Sequence, residues 1–238
     1  MKRHIRVSLV GAKFMGRAHS NAYLNVATAF DLPCQPIRRA VCDVDTSALA
    51  TLARRYHWET TETSWQRLVA RDDIDLIDIC TTNDLHAPIA IAAAKAGKHV
   101  VCEKPMARTS DEARRMLDAV RAAGVCHMVA FNYRRVPALL LAKQLIEGGK
   151  IGRVFHFNAV YYQDWLVDPA FPYVWRNDAG VAGSGAHGDM NAHLVDLARF
   201  LVGDIEAVCG AQEIFIKERP LANGAGQRIV TADDAAFA

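Results

Sequence analysis

The chain has 238 residues, 51% hydrophobic and 23% charged, a balance that excludes disorder and low complexity. Its 28 Lys+Arg against 26 Asp+Glu leave a net charge of +2, which offers no electrostatic handle to nucleic acid or an acidic membrane surface. No apolar run reaches the ~18–20 residues of a membrane span, and Met1-Lys2-Arg3-His4 leads into Ile5 without the longer greasy stretch of a secretory signal.

To about residue 130, short β-branched runs alternate with helical stretches. The spacing predicts strands over Ile5–Val10, Ile37–Cys42, Ile74–Cys80, Lys98–Cys102 and Val125–Ala130. Between them the helices have legible ends. Thr109-Ser110-Asp111-Glu112 is a capping-box pattern, and its helix stops at Gly124. Pro88 suits a first helical turn, and the Ala-rich run after it ends at Gly97. This alternation implies right-handed crossovers and an open, doubly wound parallel sheet, an α/β domain over residues 1–130. From residue 131 the pattern changes. A helix is expected over Pro137–Gly148, a strand over Val154–Tyr162, a long loop with Trp165 and Trp175, a helix near Gly188–Val202, and a strand over Ile205–Ile216. That is an α+β domain over residues 131–238, and Asp233–Ala238 stops where a further strand could begin. The six cysteines (34, 42, 80, 102, 126, 209) form no C-x-x-C pair and read as small buried residues of a reducing cytoplasm, with neither disulfides nor a metal site expected.

Five segments carry chemistry. Gly11-Ala12-Lys13-Phe14-Met15-Gly16 follows the first strand, where a glycine makes a tight turn and a second lets helix and strand pack closely; a pyrophosphate would then rest on the helix N-terminus. Lys13 stands where the dinucleotide fingerprint has its middle glycine, and a plain strand–helix turn is the alternative. Asp43 closes the second strand, with Asp45 two residues on; either can accept from a ribose diol, which favours NAD over NADP, or cap the next helix, for which Asp45 is better placed. Thr81-Thr82-Asn83-Asp84-Leu85-His86 and Glu103-Lys104-Pro105 lie at carboxyl ends of parallel strands, where ligands of such sheets bind. Finally, Asp189 and His193 are four apart behind Gly183-Ser184-Gly185, so on a helix they share a face, and the histidine is placed to accept a proton. His187 and Asp196 are weaker candidates beside them.

Gly-x-x-Phe-Met-Gly, Thr-Asn-x-x-His, Glu103-Lys104-Pro105, Asn132-Tyr133-Arg134-Arg135, Trp175-Arg176 and Asp189-x-x-x-His193, in that order, resemble the glucose–fructose oxidoreductase/inositol dehydrogenase (Gfo/Idh/MocA) family. Tyr162–Trp165 through Gly183–Gly185 look most like its anhydrosugar dehydrogenase branch. The resemblance implies a Rossmann domain followed by a mostly antiparallel substrate and oligomerisation domain. It places catalytic roles on Lys104, Asp189 and His193, and NAD contacts on Gly11, Lys13, Phe14, Met15, Asp43, Thr81, Asn83, His86, Glu103, Trp175 and Arg176. NADP is the lesser choice. Family members commonly run longer, so several strands of the second domain are expected to be absent. The expected activity is dehydrogenation of a secondary alcohol on a sugar, anhydrosugar or cyclitol by a cytoplasmic homo-oligomer. The alternatives are a silent NAD-binding regulator or an inactive fragment on the same fold.

Overall fold

The computed structural model describes residues 3–238. It contains two compact units, one up to Ala130 and one from Phe131 onward. No helix among the described residues is long and apolar enough to cross a membrane.

The first unit runs β1 (Arg3–Val10), α1 (Phe14–Ala29), β2 (Cys34–Cys42), α2 (Thr46–Tyr56), β3 (Thr60–Glu62), α3 (Trp65–Val69), β4 (Leu76–Ile79), α4 (His86–Lys95), β5 (His99–Cys102), α5 (Ser110–Ala123) and β6 (His127–Val129). All strand pairs are parallel, in the order β3-β2-β1-β4-β5-β6. This doubly wound order follows from the strand–helix alternation, and its switch point lies between β1 and β4. The short edge strand β3 has no apolar run of its own and is set by pairing with Ala40–Cys42. The sheet is packed on both faces. Ile89, Ala90 and Ala93 of α4 with Met116 and Val120 of α5 fill one core; Leu49, Leu52 and Tyr56 of α2 with Trp58 fill the other. Helix ends follow the sequence. Asp45 caps α2 by accepting from the Ala48 amide at 3.0 Å, and Thr109 caps α5 by accepting from Glu112 at 3.1 Å. The Glu112 carboxylate turns instead to the Arg108 amide, so half of the expected capping box forms.

The second unit holds α6 (Pro137–Glu147), α7 (Ala179–Ala182), α8 (Ala192–Leu201), β7 (Ala211–Glu213), β8 (Glu218–Pro220), β9 (Gln227–Ile229) and β10 (Ala235–Phe237). β7 pairs with β10 and β8 with β9, both antiparallel. Two expectations are corrected. Residues 154–162 form no ladder among the described residues, and the strand expected over Ile205–Ile216 contracts to Ala211–Glu213. Alternation marks a strand's faces, but a strand also needs a neighbour to bond, and only 211–213 has one, in Ala235–Phe237. The β8–β9 hairpin, which carries no apolar alternation, brings Arg219 into the interior. There its guanidinium donates to the carbonyls of Leu166, Asp168 (2.9 Å) and Phe171 (3.3 Å), tying down the loop that precedes Trp175.

Candidate active site

In the first unit, the turn after β1 is shaped by glycines. Gly11 has φ +109°, and a Cβ on it would meet the Cys80 carbonyl oxygen at 2.4 Å; a Cβ on Gly16 would meet the Gly11 oxygen at 1.8 Å. The backbone at the β1–β4 switch point therefore lies closer than any side chain allows, as a phosphate cradle requires. Helix α1 begins without a side-chain cap and without an acidic residue in its first turn, where Phe14 is exposed and Met15 half-buried.

Asp43 supports this turn. One carboxylate oxygen accepts from the Ala12 amide at 2.5 Å and the other from the Asp45 amide at 2.8 Å, which fixes the end of β2 against the glycine loop. The Lys13 ammonium pairs with Asp45, whose carboxyl is held below its usual range by the Ala48 amide and then by Lys13. Lys13, Arg17, Asp45, Ser47 and Arg55 line a groove of about 390 Å³ between the start of α1 and the length of α2.

Two further loops meet at the carboxyl ends of β4 and β5. His86 is fully buried, one ring nitrogen 2.9 Å from the Pro105 carbonyl and the other 3.3 Å from that of Thr81. Burial pushes its pKa below the ordinary imidazole value. A neutral ring can donate to one of these carbonyls and joins the Thr81 loop to the Pro105 loop, so its role toward any ligand runs through the loops themselves. Asn83 is buried in the short turn between β4 and α4. Glu103 is also buried: Oε1 lies 3.0 Å from His19 Nε2 and Oε2 accepts from the Lys104 amide at 3.0 Å. Its carboxylate is thus occupied within the protein, and Lys104 follows it directly.

In the second unit, Asp189 lies on a π-helical turn over His187–Asn191 that continues into α8, which carries His193. The expected single helix therefore starts with a wider turn, a feature frequent at functional sites. Its entry is anchored by Asp233, whose carboxylate accepts from the Gly185 amide at 2.6 Å and the His187 amide at 2.7 Å. A Cβ on Gly185 would meet the Asp233 carbonyl oxygen at 1.7 Å, so only glycine permits this approach. His193 is buried, stacked on Tyr133 at 4.3 Å between centroids and edge-on to Phe131 at 6.0 Å. The Tyr133 hydroxyl lies 2.9 Å from that of Tyr161, and this bond pushes the Tyr133 phenol up to about 12. Arg176 places Nε 3.4 Å from Asp189 Oδ2 and its guanidinium 4.4 Å above Trp175. Asp189, Arg176, Gln163, Trp165 and Met190 border a cavity of about 300 Å³, small-ligand size. Asp196, by contrast, is committed to Arg134 through two bonds of 2.8 and 2.6 Å, and exposed His187 bonds Asn191.

Sequence reasoning gave no role to His19, Tyr133 or Asp233. An acid inside a buried strand, Asp78 in Ile77-Asp78-Ile79, was the signal that a cationic partner such as His19 must exist.

Residues 5–131 match the family model "Oxidoreductase family, NAD-binding Rossmann fold", and residues 139–238 match the "GFO/IDH/MocA C-terminal domain". The chain is similar to levoglucosan dehydrogenase of Pseudarthrobacter phenanthrenivorans, 46% identical over 230 residues, covering 96% of this chain and 59% of the relative. Among solved structures it is similar to levoglucosan dehydrogenase in complex with NADH and levoglucosan (46% identity, TM-score 0.94, 98% of this chain and 62% of that one). It is also similar to an oxidoreductase domain protein from Kribbella flavida (49% identity, TM-score 0.93, covering 98% and 63%). The chain thus spans about three fifths of the length of these relatives. With both family models matched in order, and with the glycine cradle, Glu103-Lys104-Pro105 and the Asp189–His193 pair in place, the chain belongs to the Gfo/Idh/MocA oxidoreductase family.

Proposed function

We propose that the chain is the working part of an NAD-dependent dehydrogenase for a secondary alcohol of a sugar, anhydrosugar or cyclitol. The observation that carries this reading is the buried, ring-stacked His193 one turn beyond Asp189, whose carboxylate borders a small-ligand cavity. NAD fits the cradle: Gly11 and Gly16 give a backbone approach that a Cβ would fill, α1 offers uncapped amides, and Asp43 braces the turn. Gly11, Lys13, Phe14, Met15, Asp43, Thr81, Asn83 and the loops joined by His86 would hold it, and the family resemblance adds Trp175 and Arg176. When bound, NAD would supply the acceptor for a hydride from the alcohol carbon.

His193 then takes the hydroxyl proton, its ring plane fixed by Tyr133 and Phe131. Asp189 orients that ring and stabilises its protonated form, while Arg176 pairs with the carboxylate. Lys104 binds the substrate oxygen and offsets the negative charge that develops on it. The similarity to a dehydrogenase solved with NADH and levoglucosan supports an anhydrosugar among the substrates. All six thiols are free, which suits a reducing cytoplasm, and the exposed Phe155, Val160 and Tyr162 suit self-association.

The test is NAD titration by fluorescence, followed by a sugar and polyol panel read by NADH absorbance. His193→Ala and Lys104→Ala should each lower turnover by at least ~100-fold while NAD binding survives. Near-wild-type turnover in either variant refutes the assignment, and binding without turnover across the panel favours the silent regulator.

A further inference from the structure

The acid that β4 buries, Asp78, is paired across the sheet with Val101 of β5, so Glu103, two residues further, projects from the same face of the neighbouring strand end. Helix α1 crosses that face and sets His19 between the two acids. Nδ1 is 2.8 Å from Asp78 Oδ2 and Nε2 is 3.0 Å from Glu103 Oε1. The side chains are 18%, 0% and 7% exposed for His19, Asp78 and Glu103. The other oxygens are also satisfied: Asp78 Oδ1 accepts from the Cys80 thiol at 3.7 Å, and Glu103 Oε2 accepts from the Lys104 amide.

A carboxylate is acceptor-only, so a ring with each nitrogen against one must donate from both, which an imidazolium alone can do. Burial favours the neutral ring, but the bonds to Asp78 and Glu103, with Cys80 close by, outweigh it and hold the pKa far above the usual imidazole value. His19, Asp78 and Cys80 also have three metal-type ligand atoms within 4.8 Å of one another. The distances favour the proton. Two ligands ~2.0–2.2 Å from a tetrahedral metal stand over ~3 Å apart, whereas His19 Nδ1 and Asp78 Oδ2 are 2.8 Å apart, a hydrogen-bond length. Burial also pushes the Cys80 thiol up, away from the thiolate a metal needs.

We propose that His19 is a positioning residue, an imidazolium clasped by Asp78 and Glu103 that fixes the turn from which Lys104 projects. The clamp stands on this geometry, and its catalytic consequence rests on the reading of Lys104 given above. Glu103 is the hinge of the device: one oxygen is held by His19 and the other holds the Lys104 amide. Without the cation, two buried carboxylates would repel and the Lys104 turn would lose its anchor.

The clamp is read directly by ¹⁵N NMR of the histidine rings in the full chain between pH 6 and 9, with His19 assigned by its loss in His19→Gln. Both nitrogens should stay protonated across that range; a single neutral tautomer of His19 at neutral pH overturns the proposal. Equimolar Zn²⁺ should leave these signals unmoved, and stoichiometric zinc capture by His19 overturns it in favour of a metal centre. After reductive ¹³C-methylation, the Lys104 resonance, assigned with Lys104→Arg, should shift in His19→Gln; an unmoved resonance overturns the link to Lys104. Where turnover is measurable, His19→Gln should lower kcat at least tenfold with NADH affinity within threefold. Added to Lys104→Ala, it should cost almost nothing more, whereas multiplying losses mark a merely structural role. Turnover that survives loss of Lys104, with the NMR results as expected, removes the catalytic reading and leaves the clamp.

Discussion

Gly16→Ala is the sharpest perturbation of the nucleotide cradle. The new Cβ would stand 1.8 Å from the Gly11 carbonyl oxygen and 2.9 Å from its carbon, and 3.3 Å from Leu9 Cδ2. Contacts below 3.0 Å do not occur, so α1 must retreat by about 1.2 Å from the turn it follows. Neither obstacle can yield cheaply: one is backbone, and the other belongs to a fully buried core residue. Overpacking of this kind costs ~1–3 kcal/mol, which at ~2–4 °C per kcal/mol lowers Tm by roughly 2–12 °C. The retreat also moves the α1 amides off the phosphate, and loss of one charge-assisted bond of ~1.5–3 kcal/mol weakens NAD by about 10- to 100-fold. Gly97→Ala separates the two effects. Gly97 has φ +72° with no atom near its Cβ position, and it lies before β5, at the opposite end of the strand from Lys104. It should lose stability through backbone strain of ~1–3 kcal/mol while binding NAD normally. Circular dichroism melting and fluorescence titration of both variants decide the matter. An NAD Kd for Gly16→Ala within threefold of wild type would show that this turn does not hold the phosphate.

Asp45→Ala should cost ~0.5–2 kcal/mol of stability through the lost α2 cap and leave Lys13, Arg17 and Arg55 facing the groove without their acid. The ratio of NADP to NAD affinity should then rise by on the order of tenfold in paired titrations, and an unchanged ratio removes that groove from cofactor selection. Asp233→Ala should expose the Gly185 and His187 amides to hydrogen exchange and cost ~1.5–3 kcal/mol per lost bond; unchanged exchange at both amides would contradict the anchor. On the acid side, the Arg71 guanidinium bonds Asp73 and holds its carboxyl at about 2, and Arg6 and Arg108 lower Asp75 and Glu112. These folded-state values lie below the unfolded ones, so the stability they contribute is present above about pH 4 and drains away as pH falls toward 2. Melting curves from pH 5 to 2.5 should show this loss, with a shallower slope in Arg71→Gln; equal slopes would remove Asp73 as a contributor.

The first unit was legible because its elements are specified locally. Leu9, Val41, Ile77 and Val100 mark buried parallel strands, and Asp45, Thr109 and Gly124 mark helix ends, all of which the structure reproduces. The second unit was less legible, because whether residues 154–162 become a strand depends on a neighbour that their own alternation cannot report. Functional groups divide in the same way. Lys104, Asp189 and His193 stand in short motifs, and the glycine turn announces itself by position. Tyr133 becomes a stacking partner of His193 only through packing, and Asp233 reaches Gly185 from 48 residues away, a distance no local pattern spans. His86 and Glu103 carried the right motif, but their side chains are spent on holding loops together.

The tie between Asp233 and the Gly185–His187 turn also bears on the order in which the molecule is made. At ~5–20 residues per second of ribosomal synthesis, the acid appears roughly 2–10 s after the glycine it must meet, 48 positions earlier. Throughout that interval the nascent π-helical turn carrying Asp189 has no anion for its leading amides, whereas the parallel sheet, complete by Val129, is already free to close. Such a chain holds a finished parallel sheet while the second unit is still unset, and slowing codons between the two positions would lengthen the time for which a chaperone or protease can distinguish the two states.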